Sequence, residues 1–374
     1  MCRMTTRLNT TISLTDPAEL LAAVPHLLGF HPTDSLVVVT LRGLQAVSRL
    51  GATLRIDLPC PQHIRGFGER LLTGPLRRTR LEAALLVVVG HRPHVETCGD
   101  VCAGTCSPAP EPSAVEPLSG GGPPYAGLVE EIRETFRRDG IGLAHALWTP
   151  EIRAGAEWCC YHDPECTGAI PDPRSSALAA AMAAAGAVTF DSRDELRALV
   201  APESPEAVAR VSAKLDALTE DLIEGSDQQR VAESLRTVLG AIERTASGAA
   251  LTEDDHVRVL LAVSDTRVRD LVLGSTLGGA ARAAEELWLT LVRKAPEPEL
   301  AEVAALLAFS AYLRGDGALA GVALERIERT SPDHRLGTLL RRALDVGIPP
   351  AELAVIARDA AEDAQLMIEE DGAW

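Results

Sequence analysis

Two groups of residues in this chain have types and spacings that could do chemistry. The first is His31-Pro32-Thr33-Asp34-Ser35, which sets an imidazole, a carboxylate and a hydroxyl in one short stretch. A nucleophile, base and orienting acid must converge in space, and neighbours in a single turn seldom do so. The simpler reading has Pro32 fixing the turn while Asp34 and Ser35 bond nearby backbone. The functional reading makes it a ligand-binding turn at a sheet edge. Arg55 and Asp57, two apart in a strand-like segment, share a face. They complete a candidate ligand set of His31, Asp34, Ser35, Arg55 and Asp57.

The second group is sulfur. No apolar leader follows Met1–Arg7, so a cytoplasmic chain is expected, in which the eight cysteines serve as thiols or metal ligands rather than disulfides. Cys98, Cys102 and Cys106 form a C-x3-C-x3-C run, and Cys159, Cys160, His162 and Cys166 fall close together. Zinc takes four N or S donors in a tetrahedron. It is therefore the candidate cofactor, held by Cys160, His162 and Cys166 with one donor from elsewhere. The competing reading is a turn in which Trp158 and Tyr161 pack and the thiols act as small apolar groups.

Other chemistry is absent from the sequence. Gly120-Gly121-Gly122 has no lysine after it, no G-x-G-x-x-G opens a helix, and neither H-E-x-x-H nor G-x-S-x-G occurs. No recognisable catalytic motif assigns an enzyme class. Lys plus Arg is 36 against 53 for Asp plus Glu, a net charge of −17, which disfavours nucleic acid and anionic membranes as partners.

The elements that must position these residues change character along the chain. Asp16-Pro17-Ala18-Glu19 predicts a capped helix start, and apolar Leu20, Leu21, Val24, Leu27 and Leu28 follow on one face up to Gly29. Leu36–Leu41 and Ala84–Val89 are continuous apolar runs, the pattern of strands covered on both faces. Ala52, Leu54, Ile56 and Leu58 alternate with polar residues in a further strand. Helices are expected at Ile64–Leu76 and Leu128–Arg138, before a segment at Ile141–Trp148. Strands separated by helices predict an α/β domain over 1–190, its sheet mixed or parallel, interrupted by a flexible Pro/Gly/Cys-rich loop at 92–124.

Residues 191–374 read as all-α, built of helical hairpins. Ser192-Arg193-Asp194-Glu195, Ser204-Pro205-Glu206 and Thr252-Glu253-Asp254-Asp255 are helix starts. Positions 36 apart match: Leu271 with Leu307, Gly279 with Gly315, Ala284 with Ala320, Trp288 with Leu324, Leu291 with Ile327, Pro296 with Pro332. Gly between two helices, Ala at their close approach and Pro after the second resemble the tetratricopeptide repeat, a helix pair of about 34 residues. Residues 336–366 would add a degenerate third hairpin.

Leu27-Leu28-Gly29-Phe30-His31-Pro32-Thr33-Asp34-Ser35-Leu36-Val37-Val38 resembles the N-terminal signature of an actinobacterial family, the domain of unknown function 4192. Arg55-Ile56-Asp57-Leu58-Pro59, Trp158–Cys166, Ser192-Arg193-Asp194-Glu195-Leu196 and Leu313–Ala320 are similar to the same family. The resemblance implies a high-GC bacterial origin and an α/β part followed by a helical part, with no reaction attached. The expected function is a non-enzymatic interaction or regulatory scaffold whose helical-repeat surface takes a protein or peptide partner, a basic one given the charge. The alternatives are an enzyme or small-ligand sensor with a pocket at the sheet edge, and a zinc-binding module.

Overall fold

The computed structural model describes residues 3–5, 11–13, 16–42, 47–79, 81–91, 122–184, 186–220 and 227–372. Cys98, Cys102 and Cys106 lie outside them, as does the 92–124 stretch up to residue 121. The chain packs as two units, Met1–Arg193 and Asp194–Trp374.

The first unit is built on a mixed eight-stranded sheet in the order β2-β1-β4-β3-β5-β6-β7-β8. The strands are β1 (Arg3–Thr5), β2 (Thr11–Ser13), β3 (Ser35–Arg42), β4 (Val47–Asp57), β5 (Ala83–Val89), β6 (Gly142–Thr149), β7 (Glu157–Cys160) and β8 (Thr167–Ala169). Only β1/β4 and β5/β6 pair in parallel; the other neighbours are antiparallel. Every residue of β5 is buried because helices cover both sides of the sheet. On one face Leu36, Val38, Leu86 and Val88 meet Phe67 and Leu71 of α2 (Phe67–Thr73) and Leu128, Ile132 and Phe136 of α3 (Ala126–Arg138). On the other, Leu20, Val24 and Leu27 of α1 (Pro17–Leu28) face Val39, Leu85, Val87 and Leu147 around a cavity of about 10 Å³. That space is apolar and at the lower limit for one water.

Local rules explain most boundaries. Asp16 Oδ1 accepts from the amides of Ala18 and Glu19 at 3.0 and 3.2 Å, Pro17 opens α1, and Gly29 closes it at φ 82°. The helix expected over Ile64–Leu76 is shorter. Gly66 takes φ 71°, so α2 starts only at Phe67 and ends before Gly74. α4 (Ala177–Ala184) follows the sheet, and α5 (Arg193–Ala198) leads into the second unit.

The second unit is helical: α6 (Pro205–Glu220), α7 (Asp227–Ala246), α8 (Glu253–Ser264), α9 (Thr266–Val272), α10 (Ala281–Lys294), α11 (Leu300–Arg314), α12 (Gly317–Thr330), α13 (Arg335–Asp345) and α14 (Pro350–Gly372). α8 has a reciprocal cap: Thr252 Oγ1 accepts from Asp255 N, and Asp255 Oδ2 accepts from Thr252 N. α11 is apolar on all sides, with Val303–Ala311 buried throughout, because α8, α10, α12, α13 and α14 pack around it.

The spacing of 36 marks core positions: Ala284, Trp288, Leu291, Ala320, Leu324 and Ile327 are all buried. Gly315, at φ 89°, turns α11 into α12, whose first turn Asp316 Oδ1 caps at Leu319 N. These two helices form a close hairpin. The other pairs differ. Two short 3-10 turns, Leu273–Thr276 and Gly278–Ala280, separate α9 from α10, and α10 lies along α7 and α11 instead. α14 folds back onto α9 and the Leu273–Thr276 turn. Gly274 permits this approach, since a Cβ there would stand 2.6 Å from Ala361 Cα. Among the described residues no helix is long and apolar enough to cross a membrane.

Candidate functional site

Antiparallel pairing gathers the candidate residues at one end of the sheet. β3 runs against both β4 and β5, so its first residue, Ser35, is in register with Asp57 at the end of β4 and Val89 at the end of β5. β6, parallel to β5, ends nearby at Thr149.

Three of the five candidates join in a chain. Ser35 Oγ donates to Thr33 O at 2.5 Å and accepts from Arg55 Nε at 2.7 Å. Arg55 NH1 contacts Asp57 Oδ1 at 2.5 Å. The shared face expected of Arg55 and Asp57 is thus occupied by their own ion pair. The proton of Ser35 points to a backbone carbonyl, which leaves no base-activated nucleophile in the turn.

His31 and Asp34 are directed elsewhere. His31 Nδ1 donates to Ile152 O at 3.0 Å, and its backbone N–H donates to Phe190 O at 3.0 Å. Asp34 sits at φ 43°, left-handed backbone that Asp tolerates better than most residues, and is exposed. Its backbone O accepts from Leu58 N at 3.2 Å. Opposite it Gly90 takes φ 145°, and a Cβ there would stand 2.9 Å from Asp34 Oδ1. Only glycine fits this crossing.

Aromatic residues not singled out in the sequence for ligand binding complete this end of the sheet. Trp148 Nε1 donates to Gly90 O at 2.9 Å. Tyr125, at φ 59°, precedes α3, and burial followed by the Asp34 carboxylate pushes its phenol up. Tyr161 OH donates to Pro124 O at 2.6 Å, and burial raises that phenol far above its ordinary range. In a chain only 3% aromatic, the closeness of Trp148, Trp158 and Tyr161 in sequence was the signal available. The arrangement can fix the start of α3 and expose one carboxylate.

The sulfur residues divide as well. Cys160 and Cys166 stand opposite one another across the β7–β8 hairpin, with Cys160 N donating to Cys166 O at 3.0 Å. His162 acts electrostatically on Glu130 of α3, whose carboxyl is held below its usual range first by the Arg133 hydrogen bond. Among the described residues no group of three or more His, Cys, Asp or Glu side chains is placed to hold a metal. Cys159, Cys160 and Cys166 are free, but Cys60 is disulfide-bonded, which corrects the expectation of thiols or metal ligands at that position.

The model of the family described as domain of unknown function (DUF4192) matches residues 17–351. The chain belongs to that family. The DUF4192 match takes in the His31–Ser35 turn, the β7–β8 hairpin and α11, and stops at the first residues of α14. No curated protein and no solved structure matches the chain.

Proposed function

We propose that this DUF4192 protein is a non-enzymatic interaction protein whose helical unit docks a basic, amphipathic helical segment of a partner protein along the outer face of α14. The observation that carries this reading is the position of the exposed apolar side chains. Of the five large ones exposed among the described residues, four stand on α13 and α14: Leu339 (62%), Val355 (46%), Ile356 (48%) and Leu366 (56%). On α14 the core-facing residues are Leu353, Ala357, Ala360 and Ala364. Val355, Asp359, Glu362 and Leu366 repeat that spacing on the outward side, flanked by Glu352, Ile356 and Asp363.

Apolar side chains set among four carboxylates and one exposed cation, Arg358, suit a partner helix that brings both apolar anchors and Lys or Arg. The net charge of −17 would speed such an encounter at low salt. The tetratricopeptide-like part of the reading is supported by the α11–α12 hairpin; the docking face itself lies beyond residue 351 and is proposed for this chain, not for its family.

The test uses the full chain and a Lys/Leu amphipathic peptide, with a scrambled peptide as control. Fluorescence anisotropy is expected to show binding that weakens with added salt and falls at least about tenfold, near 1.4 kcal/mol, in a Val355→Ser/Leu366→Ser double variant. Equal affinity for the two chains, or for the two peptides, would remove the reading.

A second reading, a small-ligand site at the sheet end, is favoured by one observation, the exposed Asp34 carboxylate beside Gly90. It calls for a cationic small molecule whose binding Asp34→Asn abolishes, measured by calorimetry.

A further inference from the structure

The hairpin that follows β6 sets two thiols face to face. Cys159 is in register with Thr167, so Cys160 and Cys166 form the next opposed pair, and the bond from Cys160 N to Cys166 O confirms it. Residues opposed across a ladder project from the same side of the sheet. Cys160 is also opposed to Leu147 of β6, whose side chain lines the cavity beside α1. Cys159 is opposed to Trp148, which packs with Tyr161 on the α3 side. Cys160 and Cys166 therefore project together on one side, and Cys159 on the other.

In a hydrogen-bonded pair such as this one the Cβ atoms lie towards about 5.5 Å apart, and a disulfide needs about 3.5–4.5 Å, so a movement of about 1–2 Å closes the gap. Both thiols are free and partly exposed. Burial and then the adjacent Cys160 sulfur, with which it hydrogen-bonds, push the Cys166 thiol up.

We propose that Cys160 and Cys166 are a reversible dithiol–disulfide couple, a redox site independent of the docking face on α14. In the step, one thiolate attacks a small-molecule disulfide of the glutathione type, forming a mixed disulfide and releasing one small thiol. The second thiolate then attacks the protein sulfur and releases the other small thiol. The two cysteines together lose two protons and two electrons, and the small disulfide is reduced to two thiols. The new bond closes the Tyr161–Glu165 turn into a ring. That turn holds the sheet end to α3, because Tyr161 N donates to Ala146 O and its hydroxyl to Pro124 O. Oxidation would thus stiffen the latch at the start of α3.

The native full chain is equilibrated in buffers of graded reduced and oxidised glutathione, trapped by alkylation and mapped by mass spectrometry. Alkylation of Cys160 and Cys166 is expected to be lost together at a shared midpoint. The peptide containing both becomes lighter by two hydrogens, and excess reductant restores it. Cys159→Ser keeps this behaviour, whereas Cys160→Ser or Cys166→Ser traps a glutathione adduct on the remaining thiol. Full alkylation of both in the most oxidising buffer, titration of one without the other, or a bridge that Cys159→Ser abolishes would each overturn the proposal.

Discussion

Glu302 is a carboxylate of the helical unit that Arg269 and His334, both 9% exposed, approach together. Arg269 NH1 donates to it at 2.7 Å, and His334 Nε2 stands 3.1 Å from the same oxygen. Gly337 N donates to His334 Nδ1, which leaves the proton on Nε2, facing Glu302. Burial opposes ionisation of Glu302, yet the nearby His334 ring and the Arg269 hydrogen bond outweigh it and hold the carboxyl below its usual range. Arg269 is 9% exposed and also donates to Asp270 Oδ1 through Nε and NH2, so removing Glu302 leaves a largely buried guanidinium with one carboxylate instead of two. Glu302→Gln is expected to cost about 2 kcal/mol in urea unfolding at neutral pH, because one charge-assisted hydrogen bond is weakened while Asp270 still pairs Arg269. Because the folded-state pKa is depressed, this contribution is present above the unfolded-state pKa and disappears as pH falls through the folded one. A Glu302→Gln chain should therefore converge on the parent in acid; a constant gap would refute the account.

His26 behaves similarly for a different reason. Its Nε2 donates to Pro173 O and its Nδ1 accepts from Thr189 Oγ1, both at 2.8 Å, so the neutral ring fits the site. Burial, the largest influence, pushes its pKa down. The stability from His26 is complete above the unfolded-state histidine pKa and is lost as pH drops through the folded value. The first unit should lose stability from pH 7 towards 5, followed by near-ultraviolet circular dichroism, with a shallower slope in His26→Gln. The bonding of His26 was invisible in the sequence because its partners lie 147 and 163 residues away.

Among elements, the most constrained contacts are made by glycines. Gly274 meets the backbone of Ala361 where α14 crosses the turn after α9, and an added methyl would have to displace a helix backbone. Gly274→Ala is expected to cost roughly 1–3 kcal/mol in thermal or urea unfolding. Gly279, the repeat-matched position, has open space around it, and Gly279→Ala should change stability little. The contrast separates a close-packed return of α14 from a repeat-derived constraint. α1, β3 and β5 were legible in the sequence because caps, breakers and apolar runs are local signals. β1, β2, β7 and β8 were not, since three- or four-residue strands carry no period and exist through their neighbours. α2 was misjudged at its start because Gly66 enters the left-handed region before it.

At the scale of the molecule, each unit has its own buried core, with Leu36, Val88 and Phe136 in the first and Trp288, Leu307 and Phe309 in the second. A fragment of residues 194–374 is expected to show helical circular dichroism and one cooperative unfolding transition. A fragment without cooperative unfolding would refute autonomous folding.

The sequence by itself determined the succession of an α/β part and a helical part, the capped starts of α1 and α8, and the buried character of β5. It did so because hydrophobic period and cap chemistry act over a few residues. Tertiary structure alone decided that Ser35, Arg55 and Asp57 satisfy one another while His31 turns to Ile152. It also decided that Cys160 faces Cys166 and that α14 doubles back onto α9. Those outcomes depend on strand register and helix approach, and both are fixed by contacts between segments far apart in the chain.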